Sequence, residues 1–103
     1  MISIDNAVQL VMKLDSVTEE PHFETRSFRA GKKIFATLNE KNKEMVLKFT
    51  ELEQEIFLNY NPDIFRAVNG YWGKKGWTIM DLSRVDENAF QDAVKAAYQI
   101  VNR

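Results

Sequence analysis

The sequence contains no cysteine, two prolines, four glycines and a single histidine among its 103 residues. Without cysteine the chain can form neither disulfides nor thiolate metal sites, and it has no thiol nucleophile. No apolar run approaches the roughly 18 residues that a membrane span requires, and the first dozen residues lack the basic start and unbroken apolar core of a signal peptide. These absences favour a cytoplasmic protein.

Linkers and repeats are also missing. Glycine and proline are scattered singly along the chain, and no stretch has low complexity. A chain of this length typically forms one compact domain, so we expect a single domain over residues 1–103. The net charge of −1 does not by itself indicate a partner.

Apolar residues recur at three- and four-residue steps near both ends of the chain, which predicts amphipathic helices there. The first stripe comprises Ile4, Ala7, Val8, Val11 and Met12, and the last comprises Phe90, Val94, Ala97, Tyr98 and Val101. We expect Ser3 and Asp86 to cap these two helices. The segment Thr50-Glu51-Leu52-Glu53 is a capping box. It predicts a helix over residues 51–60 in which Leu52 and Ile56, and Phe57 beside them, point toward the core.

Between the helices the apolar period changes to two, which predicts strands over residues 27–30, 32–39 and 45–49. In the second of these, Ile34, Ala36 and Leu38 share one side, and Phe35 and Thr37 share the other. Residues 64–68 and 76–82 are predicted as two further strands joined by a glycine-rich hairpin. Pro21 marks residues 18–23 as a connector. The fold class is therefore α+β, with an antiparallel five-stranded sheet and the helices packed on one face.

Charge is unevenly distributed over these elements. Residues 25–50 carry a local charge of +5 and residues 66–75 add +3, whereas residues 1–24 and 51–63 each carry −4. Because burying unpaired cations is costly, the basic side chains must lie on the uncovered sheet face and its turns. Two interpretations stay open. The lysines either protect sheet edges and solvated turns from aggregation, or they contact phosphates beside stacking aromatic rings.

Catalytic signatures are scarce. Because the sequence contains no recognisable nucleophile motif that His22 could activate, we interpret His22 as a turn residue. Gly70, Gly73 and Gly76 match neither common phosphate-loop pattern. The acidic residues of the first helix stand too far apart to chelate a metal ion together. We therefore expect no enzyme, no cofactor and no metal site.

The two tryptophans flank the predicted glycine-rich hairpin. Trp77 is next in line with Ile79, and we expect it to be buried at the interface of sheet and helices. Trp72 and its neighbour Tyr71 stand among glycines and lysines, so we expect this pair to be exposed. Exposed aromatic rings beside ammonium groups suit unpaired bases and protein partners equally.

Two motifs are distinctive. Within residues 20–38, the run Ser-Phe-Arg is followed shortly by Lys-Ile-Phe-Ala-Thr, and residues 72–77 have the sequence Trp-Gly-Lys-Lys-Gly-Trp. With these motifs, and with Leu47-Lys48 and Ala97-Tyr98, the chain resembles the MmcQ/YjbR family of small bacterial proteins over nearly its whole length. The resemblance implies a frataxin-like (CyaY-like) α+β fold. It also implies a "double wing" DNA-binding surface.

The first functional hypothesis is a non-enzymatic DNA-binding module of low sequence specificity that contacts phosphates through its basic sheet face and turns. Its candidate contact residues are Arg26, Arg29, Lys33, Lys48, Trp72, Lys74 and Lys75. The alternative is a protein-interaction or adaptor domain that uses the Tyr71-Trp72 hairpin on an acidic partner. In either case we expect a monomer without a membrane partner.

Overall fold

The computed structural model describes residues 1–102. In chain order its elements are α1 (Ile4–Met12), β1 (Val17–His22), β2 (Thr25–Ala30), β3 (Lys33–Asn39), β4 (Glu44–Lys48), α2 (Glu51–Tyr60), β5 (Phe65–Ala67), α3 (Tyr71–Lys74), β6 (Trp77–Asp81) and α4 (Glu87–Val101). Ser3, Thr50 and Asp86 cap α1, α2 and α4 as the sequence predicts. No helix within residues 1–102 combines the length and the apolar character that crossing a bilayer demands.

The strands form one sheet in the order β1-β2-β3-β4-β6-β5, and every neighbouring pair is antiparallel. Helices α1, α2 and α4 pack against one face and bury the core there. Its largest fully buried side chains are Phe28, Phe35, Phe49, Phe65, Phe90, Leu38, Met45, Leu47, Met80 and Leu82. The predicted α+β class and the one-sided placement of the helices are confirmed. We call the other side of the sheet the open face.

The sheet has six strands among the described residues, and the prediction of five was wrong at residues 17–22. Pro21 suggested a connector there, but the residue lies within β1, opposite Arg26 of β2. β1 is the edge strand of the sheet. A proline is tolerated at an edge because the hydrogen bond that it cannot donate would point to solvent.

A bulge in β3 changes which side chains face the helices. Phe28 pairs with Ala36, whereas the next residue of β2, Arg29, pairs with Ile34. Phe35 is therefore an extra residue, and it is fully buried in the core. The predicted simple alternation was wrong at this point. Ile34 lies on the open face, away from Ala36 and Leu38.

Aromatic stacking, and not the aliphatic stripe, determines which side of α2 faces the core. The Phe57 ring stacks on Phe49 with centroids 4.7 Å apart and also meets Phe65 at 5.0 Å. Leu52 and Ile56, which the sequence predicted to point inward, are 67% and 56% exposed. Offset aromatic contacts contribute beyond the area that they bury, which explains why Phe57 faces the core.

Candidate functional site

The open face carries an apolar groove of about 700 Å³. The hairpin turn between β1 and β2 forms one side of it, β3, β4 and β6 form its floor, and the segment around α3 forms the other side. The lining residues are His22, Phe23, Glu24, Thr25, Ile34, Thr37, Asn39, Val46, Val68, Trp72 and Trp77. Ile34 reaches this floor because of the bulge in β3.

Phe23 forms the first side of the groove, and both its backbone conformation and its exposure are unusual for a phenylalanine. Its backbone lies in the left-handed region at φ +56°, and its side chain is 95% exposed. The ring meets His22 edge to face at 4.8 Å, and Thr25 Oγ1 donates a hydrogen bond of 2.7 Å to the His22 carbonyl, which closes the turn. A bulky residue in this region costs energy, and such strain clusters at ligand-binding sites.

Trp72, which belongs to the short helix α3, forms the opposite side of the groove. The backbone around this helix is tightly packed. A side chain at Gly73 would collide with the carbonyl of Val68, and one at Gly76 would collide with the carbonyl of Phe49. Gln54 Nε2 from α2 donates a 2.9 Å hydrogen bond to the Gly73 carbonyl. The predicted plain hairpin is therefore wrong, because the glycines permit close backbone contacts around a helical turn. Trp72 is 60% exposed on this fixed support.

Trp77 lies in the groove, and the prediction that it is buried between sheet and helices was wrong. Thr78 and Met80 occupy the buried face of β6. Because strand residues alternate, Trp77 points to the open face, where it is half-buried. Lys48 Nζ stands 5.8 Å from the centre of its ring and donates a 2.6 Å hydrogen bond to the Lys75 carbonyl.

The arginines of residues 1–102 are all engaged with acidic side chains. The pairs are Arg26 with Glu19 at 2.6 Å and with Glu40 at 2.8 Å, Arg29 with Glu20 at 3.4 Å, Arg66 with Glu44 at 2.6 Å, and Arg84 with Asp81 at 3.4 Å. Hydrogen bonds from Arg26 hold the pKa of the Glu19 carboxyl below its ordinary value. The sheet is consequently a mixed-charge surface in which every described arginine has an acidic partner nearby.

The lysine candidates differ from the arginines. Lys48, Lys74 and Lys75 form no ion pair with any acidic side chain in residues 1–102, and neither does Lys33 at the start of β3. Lys75 Nζ lies 5.5 Å from the Tyr71 ring centre. The structure therefore places Lys48 beside Trp77 and the Lys75 carbonyl, and places Lys74 and Lys75 at the end of α3, the helix that carries Trp72. Arg26 and Arg29 lie on β2 in ion pairs of their own.

His22 belongs to the groove and not to a metal site. Within the part of the chain that the structure describes, no cluster of three or more histidine or acidic side chains could hold a metal ion. The imidazole packs on Phe23, and its backbone carbonyl closes the turn. The interpretation of His22 as a turn residue agrees with this geometry.

Comparison with known proteins identifies the family. A sequence model of the YjbR family matches residues 12–100. The chain belongs to the YjbR family. Among solved structures it is similar to the crystal structure of the Deinococcus radiodurans protein DR2400, which contains domain DUF419, with a TM-score of 0.85 and 20% sequence identity over 100% of this chain and 80% of that chain. At that identity the likeness shows the fold alone. No curated protein matches the sequence.

Of the eleven residues that line the groove of this YjbR-family chain, only Trp72 was a candidate contact residue from the sequence. Phe23, Ile34, Val46 and Val68 line it, and none of them was a candidate. Ile34 could not be found, because only the bulge moves it to the open face. Phe23 did carry a signal, since it is a lone large apolar residue in a polar, charged turn.

Proposed function

We propose that this YjbR-family chain is a non-enzymatic interaction module of the cytoplasm, and that its groove binds an extended peptide segment of a partner protein. One observation carries the proposal. Two exposed aromatic side chains, Phe23 and Trp72, both line the apolar groove, and their backbones are constrained, Phe23 at φ +56° and Trp72 beside the closely packed Gly73. Aromatic side chains offer a large contact area for the few rotatable bonds that binding fixes, and they are typical anchors of protein interfaces.

The shape of the groove favours a peptide over a small molecule. A small-molecule site typically encloses most of its ligand's surface. Here the side chains of Phe23 and Trp72 are 95% and 60% exposed, so the groove is open along the sheet face. A peptide can lie on such a surface and cover both rings, because its successive side chains contact separate parts of the groove.

The charge around the groove selects the kind of peptide. Lys48, Lys74 and Lys75 lie at the α3 end without acidic partners among the described residues. Acidic side chains placed beside apolar ones in the ligand would complement them and accelerate association. The partner segment is therefore apolar and acidic in composition.

DNA binding is the second candidate, and the exposed Trp72 beside Lys74 and Lys75 is the observation that favours it. An unpaired base can stack on such a ring while the ammonium groups contact phosphates. Phosphates at Arg26 and Arg29, however, must compete with Glu19, Glu20 and Glu40. The remaining lysines support only a few phosphate contacts, so we expect weak binding that decreases with salt.

The peptide proposal is tested by selection from a displayed library of short random peptides against the immobilised full chain. We expect enriched sequences to combine apolar and acidic residues. Synthetic versions should bind wild type at least about tenfold more tightly than Trp72→Ala, because a central aromatic anchor typically contributes more than about 1.4 kcal/mol. Met12→Ala is the matched control, since Met12 is also exposed but lies on α1. Selected peptides that bind Trp72→Ala as tightly as wild type would contradict the proposal.

The DNA candidate is tested in parallel by fluorescence anisotropy with labelled single-stranded and duplex oligonucleotides at low and moderate salt. Binding with a salt slope near 0.7 per contacted phosphate on single strands, lost in Trp72→Ala, would support it. Reversing Lys74 and Lys75 to glutamate should then weaken all sequences alike, because phosphate contacts do not read bases. No binding at low salt would eliminate the DNA candidate and leave the peptide proposal in place.

A further inference from the structure

Helix α2 presents an apolar stripe to solvent. Leu52, Ile56 and Tyr60 are spaced four residues apart and are 67%, 56% and 62% exposed. Residues at this spacing lie on one side of a helix, so the three side chains form a continuous surface. The side of α2 that faces the core carries Phe57, which packs on Phe49 and Phe65. We call the exposed surface of Leu52, Ile56 and Tyr60 the α2 stripe.

Acidic residues border the α2 stripe. Residues 51–63 contain four acidic side chains and no basic one. Glu51 and Glu55 lie along one side of the stripe, and Glu53 lies along the other. The Glu53 carboxylate accepts hydrogen bonds from the Thr50 backbone and hydroxyl, so Glu51 and Glu55 supply the charge that remains free of local bonds. The α2 stripe is therefore both apolar and acidic.

That composition is the one that the groove is proposed to bind. We propose that the α2 stripe of one copy of this chain docks into the groove of a second copy, a proposal that rests on the groove being a site for apolar, acidic segments. Glu51 and Glu55 of one copy would face Lys48, Lys74 and Lys75 of the other. The expectation of a monomer from sequence did not consider this pairing, because Leu52 and Ile56 were predicted to point inward.

The contact must be between copies rather than within one. In a single chain α2 is fixed to the helix-covered side of the sheet by Phe57, whereas the groove lies on the open face. Each copy would donate its stripe and offer its groove, which is a head-to-tail arrangement that continues into chains or closes into rings. The net charge of −1 leaves little repulsion between whole copies, so the local charges decide the approach.

Sedimentation equilibrium of the full chain, over a range of concentrations and at low and high salt, measures this association. We expect the average mass of the wild type to rise with concentration and to fall again as salt screens the charges across the contact. Ile56→Lys removes the stripe, and Trp72→Ala removes the groove, so each variant alone should remain a monomer. Met12→Lys introduces the same change at an exposed residue of α1 and should associate like the wild type.

Mixing the two variants is the decisive part of the experiment. Ile56→Lys retains its groove and Trp72→Ala retains its stripe, so an equimolar mixture should form dimers and nothing larger. Near-ultraviolet circular dichroism of each variant shows whether it keeps the native fold. If Ile56→Lys unfolds, Glu51→Lys with Glu55→Lys replaces it, since both of these residues are exposed on the helix surface.

A wild type that stays monomeric at millimolar concentration and low salt would overturn the proposal. So would association that Trp72→Ala or the stripe variant leaves unchanged, or a mixture that does not dimerise. These outcomes leave the proposed function separately testable, because selected peptides can still bind the groove of a monomer. If such peptides do bind, they should also dissociate wild-type assemblies, since both ligands would occupy the same groove.

Discussion

Phe23 shows most clearly how single residues specify the groove. At φ +56° a glycine would be the natural choice, yet the chain keeps a phenylalanine that is 95% exposed. Gly73 and Gly76 show the converse. They occupy positions where any side chain would strike the backbone carbonyls of Val68 and Phe49, so they fix Trp72 rather than bind phosphate. The distinctive Trp-Gly-Lys-Lys-Gly-Trp motif therefore has a structural explanation at its glycines, and both of its tryptophans line the groove.

The variant Phe23→Gly should separate stability from function. Glycine relieves the left-handed strain but enlarges the freedom of the unfolded chain, so we expect the free energy of unfolding to change by no more than about 1 kcal/mol. Affinity for the selected peptides should fall, because one side of the groove is lost. Urea denaturation and peptide titration measure the two quantities. A loss of several kcal/mol would mean that Phe23 serves the fold instead.

At the scale of elements, sequence patterns predicted what local physics determines. The caps at Ser3, Thr50 and Asp86 and the apolar stripes of the terminal helices were confirmed, because they depend on residues within one element. β1 was missed because its status as an edge strand, which makes Pro21 acceptable, is a property of the whole sheet. The orientation of α2 depended on Phe49 and Phe65, which lie outside the helix.

The groove was the least predictable feature for the same reason. Trp77 was correctly recognised as a strand residue, but its face could not be fixed without knowing that Thr78 and Met80 occupy the buried side. Ile34 reached the groove only through the bulge opposite Arg29. The exposed pair Tyr71 and Trp72 was predicted correctly, because flanking glycines and lysines are a local signal.

The ion pair between Glu19 of β1 and Arg26 of β2 predicts a pH dependence for the pairing of these strands. Because Arg26 lowers the pKa of Glu19 in the folded state, the pair stabilises the fold above the ordinary carboxyl pKa, and this contribution is lost as pH falls through the lowered folded value. Glu19→Gln should therefore be less stable than wild type at neutral pH, by about 1 kcal/mol or less, and equally stable in strong acid.

Urea denaturation at a series of pH values measures this difference. Glu24→Gln is the matched control, because Glu24 is exposed in the same hairpin and forms no ion pair within residues 1–102. Its difference from wild type should not change over the acidic range. A Glu19→Gln difference that stays constant with pH would show that the ion pair contributes nothing to stability.

At the scale of the whole molecule, one face of the sheet packs against the helices, and the open face carries the groove. The helix-covered face holds the large apolar core, and the open face combines a groove rich in aromatic rings with Arg29 and Arg66, which pair with Glu20 and Glu44. Although the net charge of the chain is −1, Lys48, Lys74 and Lys75 lie at the α3 end of the groove without an acidic partner in residues 1–102. The open face of this YjbR-family chain is therefore the surface on which we propose that a partner binds.

The central claim is tested most directly by NMR. Backbone amide and tryptophan indole N–H chemical shifts are mapped while the tightest selected peptide is titrated. We expect the largest changes at the lining residues Thr25, Thr37, Val46 and Trp77 and at the indole N–H of Trp72, with little change at core residues of α4 such as Ala93. The same map with Phe23→Gly should show smaller changes at equal peptide concentration. Changes centred on α2 or α4, with the groove residues unmoved, would contradict the account.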